Sequence, residues 1–148
     1  MLTILLLGPP QILRDGVPVV LPRRRSRALV YYLAAQGAPV SREHLIALLW
    51  PEHERSAAQQ LLRTTLHGVR RALGAGIVGD ETLAVAAESD VDYRALAAVV
   101  AAPAAVVAAP AADEAALAAA VARYRDDLLS GFSLPDAAPF EAWLAAER

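Results

Sequence analysis

An α+β fold is predicted for this chain: a small antiparallel sheet, three helices, a closing hairpin and then a helical segment. Three observations carry that prediction. Short β-type runs punctuated by Gly, Pro and Asp-Gly open the chain, a strongly amphipathic stretch occupies residues 56–73, and the charge changes sign along the sequence. Together they describe a basic α+β unit joined to an acidic, alanine-rich one.

The elements follow in order. Residues 2–7 (LTILLL) form a β-type run ended by Gly8-Pro9-Pro10. Residues 11–14, the turn dipeptide Asp15-Gly16 and residues 17–21 read as a hairpin of the favoured two-residue kind. The apolar side of that sheet needs a cover, and residues 23–36 supply a helix with Leu29, Val30 and Leu33 facing in, one of Tyr31 and Tyr32 beside them, and Gly37 as its C-cap. Ser41 is a natural N-cap for a second, short helix, with Glu43 in its first turn where a carboxylate complements the helix dipole. Leu45, Leu48, Leu49 and Trp50 give it a core face, and Pro51 ends it. After the 56–73 helix, terminated by Gly74-Ala75-Gly76, residues 77–78 and 82–85 flank Gly79-Asp80 as a short hairpin. Sheet, three helices and hairpin in that order are a winged helix-turn-helix, whose third helix enters the major groove of DNA. We place this unit at residues 1–88.

Beyond it the composition shifts. Residues 90–102 read as a helix, the alanine and proline stretch to residue 112 as a linker, and 113–129 as a helix with Leu117, Val121, Tyr124 and Leu128 on one side and Gly131 as its cap. Residues 140–148 begin another helix with Phe140, Trp143 and Leu144 on one face. Nothing in the sequence covers that face, so residues 89–148 are expected to be the truncated start of a helical interaction domain, with Phe140 and Trp143 exposed.

Composition limits the function classes. An apolar content of 56% is ample for a core. The alanine-rich stretch is broken by Pro103 and Pro110, and the N-terminal apolar run is short and lacks a basic flank. Neither a membrane span nor a signal peptide is expected, which places the chain in the cytoplasm. Residues 1–79 carry ten arginines against four acids, a balance of +6, whereas residues 80–148 carry four arginines against twelve acids, a balance of −8. Such asymmetry suits a nucleic-acid-binding unit followed by a segment with another task.

The 56–73 helix sharpens this. At about 100° per residue, Ala58, Leu61, Leu62, Thr65, Leu66, Val69, Ala72 and Leu73 fall in one arc of about 140°, a core face. The opposite arc gathers Gln59, Gln60, Arg63, Thr64, His67, Arg70 and Arg71, with no acid among them. Arginine matches phosphate or the acceptor edge of guanine, and glutamine can match adenine. Ahead of the first helix stand Arg23, Arg24, Arg25 and Arg27, four cations at an end where the helix dipole disfavours them. Bound phosphate would offset that repulsion.

Enzymatic constellations are poor. His44, His53 and His67 have no neighbouring ligand cluster, the serines lack a nucleophile-elbow context, and no phosphate-binding glycine loop occurs. Asp126 and Asp127 are adjacent, so on a helix they would point about 100° apart. No catalytic residue, metal site or cofactor is expected.

The stretches LLGPPQILRDGVPVVLPRRRSRALVYYLAAQGAPVSREHLIALLWP, SAAQQLLRTTLHGVRRALG, DVDYRAL, and YRDDLLSGF with FEAWLAAER resemble, in order and spacing, the Streptomyces antibiotic regulatory protein (SARP) type of transcriptional activator. The resemblance covers essentially the whole chain. It implies an OmpR-type winged helix followed by the beginning of a tetratricopeptide-like bacterial transcriptional activation domain. It also implies binding to direct repeats in promoters, self-association as side-by-side copies on double-stranded DNA, and recruitment of RNA polymerase. Carried over by position, Arg63, Thr64, His67, Arg70 and Arg71 match the family's recognition helix, and Arg23, Arg24, Arg25 and Arg27 its basic lead into the first helix. Two departures stand out: Gly68 lies within the recognition helix, and the hairpin carries Asp80 and Glu81 with no basic residue.

We therefore assign base reading to Gln60, Thr64, His67 and Arg71, and phosphate contact to Arg23, Arg24, Arg25, Arg27, Gln59, Arg63 and Arg70. The alternative is a winged-helix module that binds a protein partner within a larger regulator and not DNA.

Overall fold

The computed structural model describes residues 1–100, 114, 115, 118, 119 and 121–148. Strand β1 (Leu2–Leu5) pairs antiparallel with β2 (Gln11–Arg14) in the register Leu2 to Arg14 and Ile4 to Ile12. Asp15 and Gly16 both have positive φ, 52° and 81°, which twists the chain into a tight turn leading to β3 (Val17–Pro18). The return strand is thus shorter than the sequence suggests, since Pro18 has no N–H for a ladder and Val20 is exposed.

Helix α1 (Arg24–Gln36) shares a core with Ile4 and Ile12 of this sheet and ends at Gly37, whose φ of 68° only glycine adopts without strain. Both Tyr31 and Tyr32 are buried along with Leu29, Val30 and Leu33. After β4 (Val40–Ser41), helix α2 (Arg42–Leu49) begins with the Ser41 hydroxyl accepting from the His44 amide at 3.1 Å. Helix α3 (Arg55–Leu73) buries Ala58, Leu62, Thr65, Leu66, Val69 and Leu73 against the core. Leu61, at one edge of the expected core arc, is instead exposed. Strands β5 (Ile77–Val78) and β6 (Thr82–Val85) form the hairpin, with β4 on the other side of β6. Gly79, at φ 102°, is obligatory in its turn, because a Cβ there would meet the Thr82 carbonyl oxygen at 1.9 Å. The expected α+β winged helix is present.

Residues past 88 complete the same core. Asp90, expected to be helical, lies in strand β7 (Asp90–Val91), which pairs parallel with β1 and gives the first sheet the order β3-β2-β1-β7. Helix α4 (Asp92–Val100) follows. The buried Asp92 carboxylate accepts from the Leu6 amide at 2.7 Å and the Leu7 amide at 3.1 Å, so the two backbone donors beyond the end of β1 are satisfied by a side chain 85 residues on. The expected linker and residue 117 of the expected 113–129 helix lie outside the described residues. The C-terminal part of that helix is not helical. Leu129 donates to the Leu6 carbonyl at 2.7 Å, Gly8 donates to Asp127, and Ser130 donates to Gly8, which draws residues 127–130 alongside 6–8 as a bridge at Leu128 and a turn with Leu129 at φ 51°. Backbone pairing with the N-terminal sheet outcompetes helix here, and Leu128 is buried by it.

Helix α5 (Ala138–Glu147) overturns the expectation of an exposed aromatic face. Phe140 is 0% and Leu144 1% exposed, and Trp143 is half-buried against the core. An aromatic chain runs from α1 to α5. Tyr31 meets Phe132 edge-on at 5.2 Å, Phe132 meets Phe140 at 6.0 Å, Phe140 meets Trp143 at 5.4 Å, and Trp143 meets Tyr32 at 4.9 Å. Their cover comes from α1 and α2, elements far away in sequence.

Candidate nucleic-acid interface

Helix α3 presents its polar arc to solvent along its whole length. Gln59, Gln60, Arg63, Thr64, His67 and Arg71 are all exposed, while the inner face is anchored by Ala58, Leu62, Leu66, Val69 and Leu73. Amphipathic spacing positions them: each polar residue stands three or four places from the next, so one buried stripe fixes the aim of the other. At about 100° per residue, Gln60, Thr64, His67 and Arg71 form the central line, within about 60° of one another. Arg63 donates to the Gln60 carboxamide oxygen at 3.2 Å, joining a residue expected to read bases to one expected to hold phosphate.

The two edges of this face differ. On one edge, Leu61 and Thr65 border a cleft of about 390 Å³ together with Arg23, Arg24, Arg25 and Trp50, and its far wall is Leu134, Pro135 and Asp136. Arg23 and Arg24 are exposed there. Arg25 is half-buried and its Nε donates to the Leu49 carbonyl at 3.1 Å, closing the C-terminal end of α2. Arg27 points away from this cleft. Its guanidinium lies over the Phe132 ring, 5.8 Å from the centroid, and its Nε is buried without a hydrogen-bond partner among the described residues. The four arginines expected to act as one cluster therefore divide into two open cations, one helix-closing residue and one packed against the C-terminal segment.

On the other edge, Gln59 and Arg63 share a groove with Arg42, Glu43 and Ile46 of α2. Arg70, half-buried, donates to the Gly79 carbonyl at 2.5 Å and so ties α3 to the hairpin. Arg42 grips the same turn, its Nη2 3.2 Å from Asp80 Oδ1 and its Nε donating to the Asp80 carbonyl. Sequence reasoning missed Arg42 because its partner is 38 residues away and no local pattern joins them. Nearby, Arg55 pairs with Glu43 at 2.5 Å. Among the three histidines, His44 hydrogen-bonds the Tyr32 hydroxyl at 2.8 Å through Nε2 and stacks on its ring. Trp50 is buried as core, with 2% exposure.

A three-helix core with a closing hairpin and an exposed, acid-free third-helix face defines a winged helix-turn-helix protein. Among solved structures the chain is similar to EmbR of Mycobacterium tuberculosis, determined in complex with a low affinity phosphopeptide. The two share 25% identity and a TM-score of 0.71 over 98% of this chain. The chain spans 41% of EmbR's length. That likeness supports a winged-helix domain of the SARP type. No model of a known protein family matches the chain, and no curated protein matches it. No helix among the described residues is long and apolar enough to cross a membrane.

Proposed function

We propose that this chain is a transcriptional regulator of the SARP type that binds double-stranded DNA in the cytoplasm and carries out no catalysis. The observation that carries the reading is the exposed face of α3: Arg63, Arg71, two glutamines, Thr64 and His67 on a rigidly anchored helix, without an acid among them. A helix of 19 residues is long enough to lie in a major groove, and its central line supplies donors and acceptors suited to base edges. Arg23 and Arg24 flank it as exposed cations for phosphate, and Arg63 extends the same grip. Binding at promoter repeats by side-by-side copies, and activation through RNA polymerase, complete the proposal.

The test is selection of bound sequences from random duplex DNA, followed by titration against salt. Enrichment of a repeat spaced by about one helical turn, with affinity falling steeply on a log–log salt plot, is the expected result. Failure to bind any duplex, together with capture of an acidic protein by the same face, would sink the DNA reading in favour of a protein-interaction module. Within the site, Arg71→Ala should relax discrimination between duplexes, whereas Arg24→Ala should weaken all of them alike and reduce the salt slope by about one. Equal losses on every duplex from both variants would remove the division between reading and positioning.

A further inference from the structure

We infer that the β5–β6 hairpin is an acidic screen, held in place by the positioning residues Arg42 and Arg70, that offsets part of the basic charge on one edge of the recognition helix and so weakens phosphate attraction there. This inference rests on the DNA reading above and concerns the same face. Its starting point is the opposite character of the two edges of α3. Ala57, Leu61 and Gly68 lie on the edge toward Arg23 and Arg24, while Gln59, Arg63 and Arg70 lie on the edge toward the hairpin, each trio within about 40°. At the first edge the neighbouring arginines stand open to solvent. At the second, Arg70 and Arg42 are engaged by the hairpin turn, and Arg63 bonds Gln60.

The turn's geometry is firm. Gly79 accepts the Arg70 guanidinium at 2.5 Å, Asp80 accepts Arg42 through both its carbonyl and its carboxylate, and the Arg42 amide donates to the Glu81 carbonyl at 3.2 Å. Three consecutive turn residues are thus fixed from α2 and α3, and Gly79 admits no side chain. The Asp80 carboxylate is nonetheless 93% exposed, and Glu81 is exposed beside it. Arg42, which the Asp80 carboxylate binds, also lines the groove with Gln59 and Arg63, so that carboxylate stands beside the edge of the reading face. A phosphate approaching from that side meets two exposed carboxylates and two arginines already bonded to the hairpin, with Arg63 left as the open cation. Phosphate attraction does not depend on sequence, so lowering it on one edge weakens every duplex by a similar factor and leaves base contacts through Thr64, His67 and Arg71 to carry a larger share of the affinity.

The experiment compares a duplex enriched by selection with random duplex, using the whole chain. Asp80→Asn combined with Glu81→Gln should tighten random and enriched duplex alike, by about threefold or more, and leave their ratio unchanged. Arg70→Ala should leave the salt slope unchanged while amide hydrogens of residues 77–85 exchange faster, and Arg42→Ala should do the same. A salt slope reduced by about one in Arg70→Ala, with hairpin exchange unchanged, would make Arg70 a phosphate contact and overturn its positioning role. Wild-type binding to duplex together with no gain from the acid-neutralised variant would overturn the screen alone. A wild-type chain that binds no duplex would remove the DNA reading and the screen together, and the exchange measurement, made without DNA, would still report whether the two arginines hold the hairpin.

Discussion

Asp92 is the side chain that ties the later half of the chain to the first sheet. Its carboxylate is fully buried and accepts from the amides of Leu6, Leu7 and Tyr93. A buried charge is tolerable because its lone pairs are filled by fixed donors, and those donors have no other partner once β1 has ended. Asp92→Ala removes the acceptor and leaves the Leu6 and Leu7 amides buried, at a cost of about 3 kcal/mol, readable by urea denaturation. A loss under 1 kcal/mol would mean water replaces the carboxylate. Next to it, Tyr93 is pushed up from 10.0 to about 12, first by burial and then by its hydrogen bond to the Glu147 carboxylate. The neutral phenol is the form the fold favours, so its contribution is fully present below pH 10 and is lost as pH climbs from about 10 towards 12, where the unfolded chain ionises first. Burial shifts Tyr31 and Tyr32 in the same direction. Stability measured between pH 9 and 12 should therefore fall less steeply in Tyr93→Phe than in the parent. Parallel curves would show that Tyr93 does not titrate differently on folding.

At the scale of elements, α3 carries a local conflict that can be relieved. Gly68 lies mid-helix, and a Cβ built there meets nothing within 4 Å. Gly68→Ala should stabilise the protein by about 1 kcal/mol, raising Tm by about 3 °C. A lower Tm would show that the helix is strained at this position in a way its open surroundings do not reveal. The helix itself was legible because its cause is local: a 3.6-residue period sets buried against exposed, and Ser41, Gly37 and the Asp15-Gly16 turn are equally short-range signals. Three things were not. Asp90 pairs with Thr3 in a parallel strand, a register that no short window of sequence encodes. Residues 127–130 carry two helix-compatible leucines after Asp127, yet their backbone is claimed by residues 6–8. Arg70 falls on the polar arc by periodicity, but a hairpin nine residues later takes up its guanidinium. In each case tertiary pairing decides, and composition is silent about it.

For the whole molecule the question is how far the winged helix and the residues after 88 fold as one unit. Leu128, Leu129, Phe132, Leu134, Phe140 and Leu144 are buried in the same cluster as Ile4, Leu29, Leu49 and Leu62. Arg123 makes two 3.0 Å bonds to Asp90, and Arg148 closes on the Leu128 and Leu129 carbonyls at 3.0 Å. Removing one anchor tests the coupling: Phe140→Ala should cost about 3–5 kcal/mol, because its ring is enclosed between Phe132 and Trp143 and the site cannot collapse without moving α5. The two tryptophans then serve as separate reporters, Trp50 at the end of α2 and Trp143 on α5. In Trp143→Phe the remaining fluorescence reports the winged helix, and in Trp50→Phe it reports the C-terminal helix. If the core is shared, then under urea the two signals, each compared with far-ultraviolet dichroism of the same variant, should follow one transition, and Phe140→Ala should move both midpoints together. Fluorescence from Trp143 that changes well before the helical signal, with Trp50 unaffected, would make α5 a detachable cover and the winged helix an independent unit. A shared transition would instead mean that any partner binding the acidic half acts on the same folding equilibrium that holds α3 in place.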